Sequence, residues 1–294
     1  MICVLGLYEN LKGITHECDY PPEVRSKPAV VRPVLPIETM TLPEIDVAVA
    51  EAIGSGQSLY GVDQELLIEI GPDLIVTQNL CEVCAPAGNQ VSDALPALSS
   101  APNILWLTPK SLEDIFENLI ELGNATDRHE TAADFVSSCR KRLERLRTTL
   151  SSVKERPRVF CMEWIDPVYC CGHWVPEMVD IAAGTDVLGR KGTDSVRIGW
   201  QEVVEARPEV LIVMPCGSKL TAAAEQARML TQYESFREVP AVQANRVYAV
   251  DANSYFARPG PRIVDGTELL AHLVHPDLVE WYGPADAYQQ ISFW

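Results

Sequence analysis

The sequence predicts an α/β protein made of two Rossmann-like lobes, each built from βαβ units and joined by a long helix. Short β-rich apolar runs alternate with helical periods, which is the pattern of a parallel sheet with helices on its faces. The alternation comes in two blocks separated by a stretch of helical periodicity alone. With 294 residues the chain also exceeds the usual size of one hydrophobic core. The expected segments are residues 1–108 for the first lobe, 109–156 for bridging helices and 157–294 for the second lobe, with a ligand cleft between the lobes.

In the first block, Val62 to Ile70 reads as a short helix that turns Leu66, Leu67 and Ile70 inward. Gly71-Pro72 ends it, because glycine takes the left-handed cap conformation and proline cannot continue the ladder. Asp73–Gln78 and Asn103–Leu107 are apolar, β-branched runs and read as strands. In the middle, Leu112, Ile115, Phe116, Leu119 and Ile120 fall at helical spacing. Val136, Cys139, Leu143, Leu146 and Leu150 follow at steps of three and four. Ser111 with Asp114 resembles a capping arrangement for the first of these helices, and Asp127 is the expected cap of the second. After Arg156-Pro157, the second block carries strands at Arg158–Glu163, Glu209–Met214 and Arg246–Val250. Helices are expected between them at Glu177–Ala183, Gln201–Ala206 and after Thr221.

A net charge of −17 disfavours nucleic acid or an anionic membrane surface as the main partner. Arg140-Lys141-Arg142, with Arg145 and Arg147, alternates with Leu143 and Leu146 and reads as the solvated face of a helix. No run approaches the roughly 18 apolar residues of a membrane span, so no direct membrane insertion is expected. The start, MICVLGLYEN, lacks a basic region and a cleavage site. On the chain as given, a soluble, unsecreted, cytoplasmic monomer is expected. Nine cysteines, an odd number, then stay reduced. Cys3, Cys139 and Cys161 lie among apolar neighbours and read as core.

Three clusters of cysteine, histidine and carboxylate each follow an apolar run: Thr15-His16-Glu17-Cys18-Asp19-Tyr20, Cys81-Glu82-Val83-Cys84 and Cys170-Cys171-Gly172-His173-Trp174. In open α/β folds the loops leaving the carboxyl ends of parallel strands gather at one crevice, so these clusters are expected at a single cleft. Thiolate and imidazole suit zinc or another transition metal, and a CxxC pair is a common half-site. His16, Cys18, Cys81, Cys84 and His173 are the candidate metal ligands, with His16 and His173 the better imidazole donors. The CxxC pair also admits a redox reading, which Pro86 and Gly88 weaken because they oppose a regular helix there. His129, His272 and His275 sit in helix-like or tail segments and read as structural. Catalytic signatures are lacking: there is no Walker loop, no GxSxG elbow and no HExxH pair. Gly54-Ser55-Gly56 is a turn, and Glu163 with Asp166 are the nearest candidates for paired carboxylates.

Several segments, in this order, resemble the class III periplasmic binding proteins and within them the vitamin B12-binding subgroup. THECDYPPE (15–23) is similar to that subgroup's Asp-Tyr-Pro-Pro loop, and the Gly-Pro-Asp-Leu-Ile-Val core (71–76) to its helix-to-strand junction. Gly199-Trp200 through Ala206-Arg207-Pro208-Glu209 resembles a Trp…Glu…Pro-acid junction. Tyr255-Phe256-Ala257-Arg258-Pro259-Gly260-Pro261-Arg262 resembles the late aromatic-Arg-Pro-Gly-Pro-Arg loop. The resemblance spans about Ile2 to Leu273 and implies a helical-backbone metal receptor, non-enzymatic, that binds a metal chelate for an ABC permease. The chelate it implies is cobalamin or another corrinoid. One departure is that the family's first strand and Pro-Ser-Xaa-Thr-Glu turn are missing, since the chain starts inside the helix ending at Leu5-Gly6-Leu7. If the true start lies upstream, a periplasmic or extracytoplasmic location is expected instead.

A corrin is a wide, partly apolar disc, so its site should be lined by aromatics with a few polar donors. Besides His16, Glu17, Cys18, Asp19 and Tyr20, the expected contacts are Trp106, Trp164, Cys170, Cys171, His173, Trp174, Tyr255, Phe256 and Arg258, with Tyr169 also at a strand end. Two further readings use the same fold: a cytoplasmic metal-binding or corrinoid-handling protein, and a thiol-dependent redox or transferase enzyme. Fold alone does not separate them.

Overall fold

The computed structural model describes residues 1–36, 39–55, 57–78 and 95–294. Cys81 and Cys84 therefore lie outside the described residues. The chain separates into two units, Met1–Thr108 with Glu117–Ala133, and Pro109–Phe116 with Asp134–Trp294.

In the first unit, β1 (Ile14–Thr15), β2 (Ala29–Pro33) and β3 (Tyr60–Val62) form a three-stranded sheet in that order, β1–β2 parallel and β2–β3 antiparallel. Helix α1 (Leu42–Gly54) lies between β2 and β3 in sequence, and α2 (Gln64–Ile70) follows β3. Val62 belongs to β3 and not to the helix, because Asp63 intervenes as a cap and accepts from the Leu66 amide at 3.0 Å. Gly71 ends α2 in the left-handed conformation at φ 53°, as its sequence position implies. Leu67 packs with Val30, Val62, Leu66, Ile70 and Leu98 as the local core. Strands β4 (Leu74–Thr77) and β5 (Asn103–Trp106) pair in parallel, Leu74 opposite Asn103 and Thr77 opposite Trp106.

Helices α3 (Leu112–Ala125) and α4 (His129–Thr149) run consecutively, and the division into units passes through both. Ser111 and Asp114 form a reciprocal cap: the Asp114 amide donates to the Ser111 hydroxyl at 3.1 Å and the Ser111 amide to the Asp114 carboxylate at 3.0 Å. Asp127 does not serve α4 as expected. It takes a left-handed backbone at φ 55° in the turn, and the first helical bond runs from the Ala132 amide to the Arg128 carbonyl.

The second unit is organised by a seven-stranded sheet. In chain order its strands are β6 (Arg158–Ile165), β7 (Val168–Cys170), β9 (Thr185–Asp186), β11 (Val196–Arg197), β12 (Val210–Val213), β13 (Val247–Val250) and β14 (Tyr288–Gln290). Spatially they run β11-β7-β6-β12-β13-β14, with β9 beside β6. The core strands β6, β12 and β13 are parallel, whereas β7 and β14 are antiparallel to their neighbours. Val159–Met162 and Val210–Val213 are buried on both faces, the continuous apolar pattern of a covered parallel sheet. A small sheet pairs β8 (Gly172–His173) with β10 (Arg190–Lys191).

Six further helices are described in this unit: α5 (Val175–Ile181), α6 (Trp200–Ala206), α7 (Leu220–Arg228), α8 (Pro240–Gln243), α9 (Ala252–Tyr255) and α10 (Ile263–Val274). Gly266 lets α10 approach α9, since a Cβ there would stand 2.1 Å from the Tyr255 carbonyl oxygen. Arg142 of α4 pairs with Asp265 and Glu268 of α10, each at 2.6 Å, so one member of the basic face is a bridge and not only a solvated charge. Cys139 and Cys161 are core residues; Cys3 is only partly buried.

Candidate functional site

The loop after β1 is fixed to the first unit's sheet by its own backbone. The His16 amide donates to the Val31 carbonyl at 3.0 Å, and the Cys18 amide turns back onto the Thr15 carbonyl at 3.1 Å. This turn places the Cys18 thiol 3.5 Å from the Thr15 hydroxyl. His16 tilts against the Tyr60 ring at 5.7 Å between centroids, and its Nε2 lies 3.5 Å from the Glu17 carboxylate. Its Nδ1 is enclosed and has no hydrogen-bond partner. Asp19 pairs with Arg25 at 3.5 Å, and the next residue, Tyr20, is 60% exposed. Trp106, the last residue of β5, is 37% exposed.

The second unit corrects the third cluster. Cys170–Trp174 does not leave the carboxyl end of a parallel strand; the chain turns at Asp166-Pro167 and runs back, so Cys170 pairs with Met162. Cys170 and Cys171 are buried, and burial pushes both thiols up, Cys171 further, with the Glu163 carboxylate adding to the effect. Trp174 and Phe256 are buried as well, the Trp174 indole N–H donating to the Phe256 carbonyl at 2.8 Å. These four side chains, expected at a ligand surface, pack the unit's interior.

His173 stays at the surface's edge with 15% of its side chain exposed. Its Nε2 lies 3.1 Å from an Asp194 carboxylate oxygen, and burial lowers its pKa against the opposing effect of Asp194. Trp164 is half-buried and donates to the Asp166 carbonyl at 3.1 Å. Tyr169 sits opposite Trp164 across the hairpin. Tyr255 is largely buried, edge-on to Trp281 at 5.9 Å, while Arg258 is half-buried.

Apart from Glu163, sequence reasoning passed over the residues that the carboxyl ends of β6, β12 and β13 bring together. Glu163 accepts from the Ser195 hydroxyl. The Cys216 amide donates to the Glu163 carbonyl at 3.2 Å. Asn253 is buried and donates to the Gly217 carbonyl at 3.1 Å, while Gln226 donates to the Ser218 hydroxyl at 3.3 Å. Cys216 follows the apolar run Val210–Met214, so the strand-end rule applied to the other cysteines would have found it.

Among the described residues no group of three or more His, Cys, Asp or Glu side chains is arranged to hold a metal ion. The expected zinc set is thus not assembled from His16, Cys18 and His173, and its other members, Cys81 and Cys84, fall outside the described residues. His272 and His275 are structural, as expected: His272 bonds the Val279 carbonyl and the Tyr288 hydroxyl, and His275 the Ala183 carbonyl. A hollow of about 600 Å³ at the amino ends of the second unit's strands, with Lys154, Arg246 and His275 in its wall, contains none of the expected site residues.

A family model for periplasmic binding proteins matches residues 13–254. The chain belongs to the periplasmic binding protein family. Among family relatives, an uncharacterized ABC transporter substrate-binding lipoprotein of Bacillus subtilis is 23% identical over 282 residues, covering 93% of this chain and 76% of that protein. A vitamin B12-binding protein of Vibrio cholerae is 22% identical over 265 residues, covering 90% and 80%. Among solved family structures, the periplasmic vitamin B12 binding protein of Vibrio cholerae superposes with a TM-score of 0.65 at 20% identity, over 94% of this chain and 92% of that one. A periplasmic heme binding protein from Pseudomonas aeruginosa gives a TM-score of 0.74 at 14% identity, over 99% and 94%. At these identities the structures establish a shared α/β fold, consistent with the class III family assignment.

Proposed function

We propose that this chain is the substrate-binding component of an ABC-type importer, or a soluble homologue of one, and that its substrate is a corrinoid or closely related metal chelate. The observation that carries this reading is the THECDYPPE loop, which presents an exposed Tyr20 beside a His16 whose Nδ1 has no protein partner. An enclosed nitrogen without a partner loses hydration with no return, so this loop carries an unmet polar group close in sequence to the exposed Tyr20. Relatives named as vitamin B12-binding proteins support the corrinoid over haem or an iron chelate.

Contacts to the substrate are proposed on each unit by itself. In the first, Tyr20 and Trp106 offer aromatic surface, and His16, Glu17, Cys18 and Asp19 offer polar atoms. In the second, Trp164, His173 and Arg258 remain from the expected set, joined by Glu163 and Cys216. His16 in the first unit and His173 in the second are each, taken alone, a candidate imidazole for a chelated metal, since neutral imidazole is a common transition-metal ligand. The protein's role is binding and delivery without catalysis. Its acidic surface suits a permease with basic docking pockets. Among the described residues no helix is long and apolar enough to cross a membrane.

Titration with hydroxocobalamin, followed by visible absorption, tests the reading. Wild type should bind at micromolar concentration or below, and Tyr20→Ala and His16→Ala should each weaken binding about tenfold. Unchanged affinity in both variants would remove the loop from the site.

A further inference from the structure

His173 and Asp194 are 21 residues apart, yet their side chains meet at 3.1 Å, between His173 Nε2 and an Asp194 carboxylate oxygen. A carboxylate only accepts, so in this contact Nε2 carries the proton and Nδ1 of the neutral ring keeps its lone pair. Nδ1 has no partner among the described residues, although the imidazole is only 15% exposed. A histidine that donates through one nitrogen to a carboxylate and leaves the other bare has the arrangement of a metal-ligating imidazole with its supporting acid.

The backbone holds this arrangement from both sides. The His173 amide donates to the Thr193 carbonyl at 2.7 Å, and the Gly192 amide donates to the His173 carbonyl at 2.9 Å. His173 itself sits at φ 51°, a left-handed conformation that a non-glycine residue keeps only where its surroundings enforce it. Gly172 makes the close approach possible, because a Cβ there would stand 2.3 Å from the Thr193 carbonyl oxygen. The segment bearing Asp194 is thereby locked against the residue before the imidazole. A solvent-exposed ion pair, which Asp194 at 71% exposure would otherwise suggest, needs none of this backbone work.

We propose that His173 and Asp194 form a metal-directed pair in which Asp194, as a positioning residue, fixes the tautomer so that Nδ1 of His173 ligates the metal of the bound chelate. The proposal rests on the chelate-binding reading above. It assigns a role to a carboxylate that neither motif nor spacing singles out.

The probe is diaquacobinamide, whose two axial positions carry exchangeable water, with hemin as a chelate of a second class. Equilibrium dialysis reports binding, and visible absorption reports imidazole ligation. Wild type should retain a probe and show the imidazole-type spectrum. His173→Asn, whose side chain tolerates the left-handed backbone, should lose that spectrum and at least tenfold in affinity. Asp194→Asn alters only an exposed side chain and should weaken the spectrum with a 10–100-fold loss of affinity. The same spectrum in wild type and both variants, or retention by wild type without imidazole ligation, would overturn the pair while leaving the binding reading intact. Retention of neither probe by wild type would overturn both.

Discussion

The Trp174 indole N–H donates to the carbonyl of Phe256 at 2.8 Å, with both side chains buried. The bond ties the Gly-His-Trp segment to the aromatic-Arg-Pro-Gly-Pro-Arg loop, so two motifs that read as ligand contacts are joined through the interior. Trp174→Phe leaves the Phe256 carbonyl unsatisfied and should cost about 1–3 kcal/mol in urea unfolding. An unchanged midpoint and slope would show that the bond contributes nothing net.

Thiol reactivity should divide by burial. Cys139, Cys161, Cys170 and Cys171 are buried, and burial pushes the Cys139 thiol up to about 11 and that of Cys161 well above its ordinary value. Since the thiolate is the nucleophile, these four should resist iodoacetamide at pH 8 in the folded protein and react in denaturant. Among the described cysteines, Cys18 is exposed and should be alkylated first, with partly buried Cys3 and Cys216 following. Rapid native labelling of Cys170 or Cys171, read by peptide mass spectrometry, would contradict their place in the interior.

His275 gives stability a pH dependence of known sign. Burial lowers its pKa despite the bond to the Ala183 carbonyl at 3.2 Å, and the charges of Arg246 and Arg156 act in the same direction as burial. The unfolded chain therefore binds the proton first. The contribution of His275 is fully present above its unfolded value of 6.5 and is lost as pH falls from there through the lower folded value. His275→Gln should flatten the change in unfolding free energy between about pH 7 and pH 5 relative to wild type, a comparison made by urea titration at each pH. An identical slope in the variant would exclude His275 as its source.

Arg142 reaches Asp265 and Glu268 at 2.6 Å each, with all three side chains about one-third exposed. Solvent screening limits what such a network contributes, so Arg142→Ala should cost about 1 kcal/mol. Arg142→Lys should recover only part of that, because an ammonium cannot reproduce the forked contact to Glu268 that the guanidinium makes through Nε and a terminal nitrogen. Full recovery by lysine in thermal unfolding would show that charge alone matters there.

The α/β class and the two blocks were legible because β6, β12 and β13 are continuous apolar runs and α4 keeps a strict three-and-four spacing over Val136–Leu150. Gly71 and the Ser111–Asp114 pair were legible because a cap is local chemistry. Strands β1 to β3 escaped notice, being two to five residues long, with Pro28 and Pro33 bounding β2. The hairpin that turns Cys170 back onto Met162 was hidden for another reason: an apolar run gives no direction, and only the partner strand shows that the cysteines face inward. Asp194 and Ser195 carry no motif, and they matter through contacts 21 and 32 residues away.

A corrinoid-carrying chain must select cobalamin from a mixture of chelates. Equilibrium dialysis of wild type against an equimolar mixture of hydroxocobalamin and hemin tests this most directly. Cobalamin should be retained near one equivalent at micromolar protein, and hemin should not displace it. Retention of hemin with cobalamin left in the dialysate would contradict this.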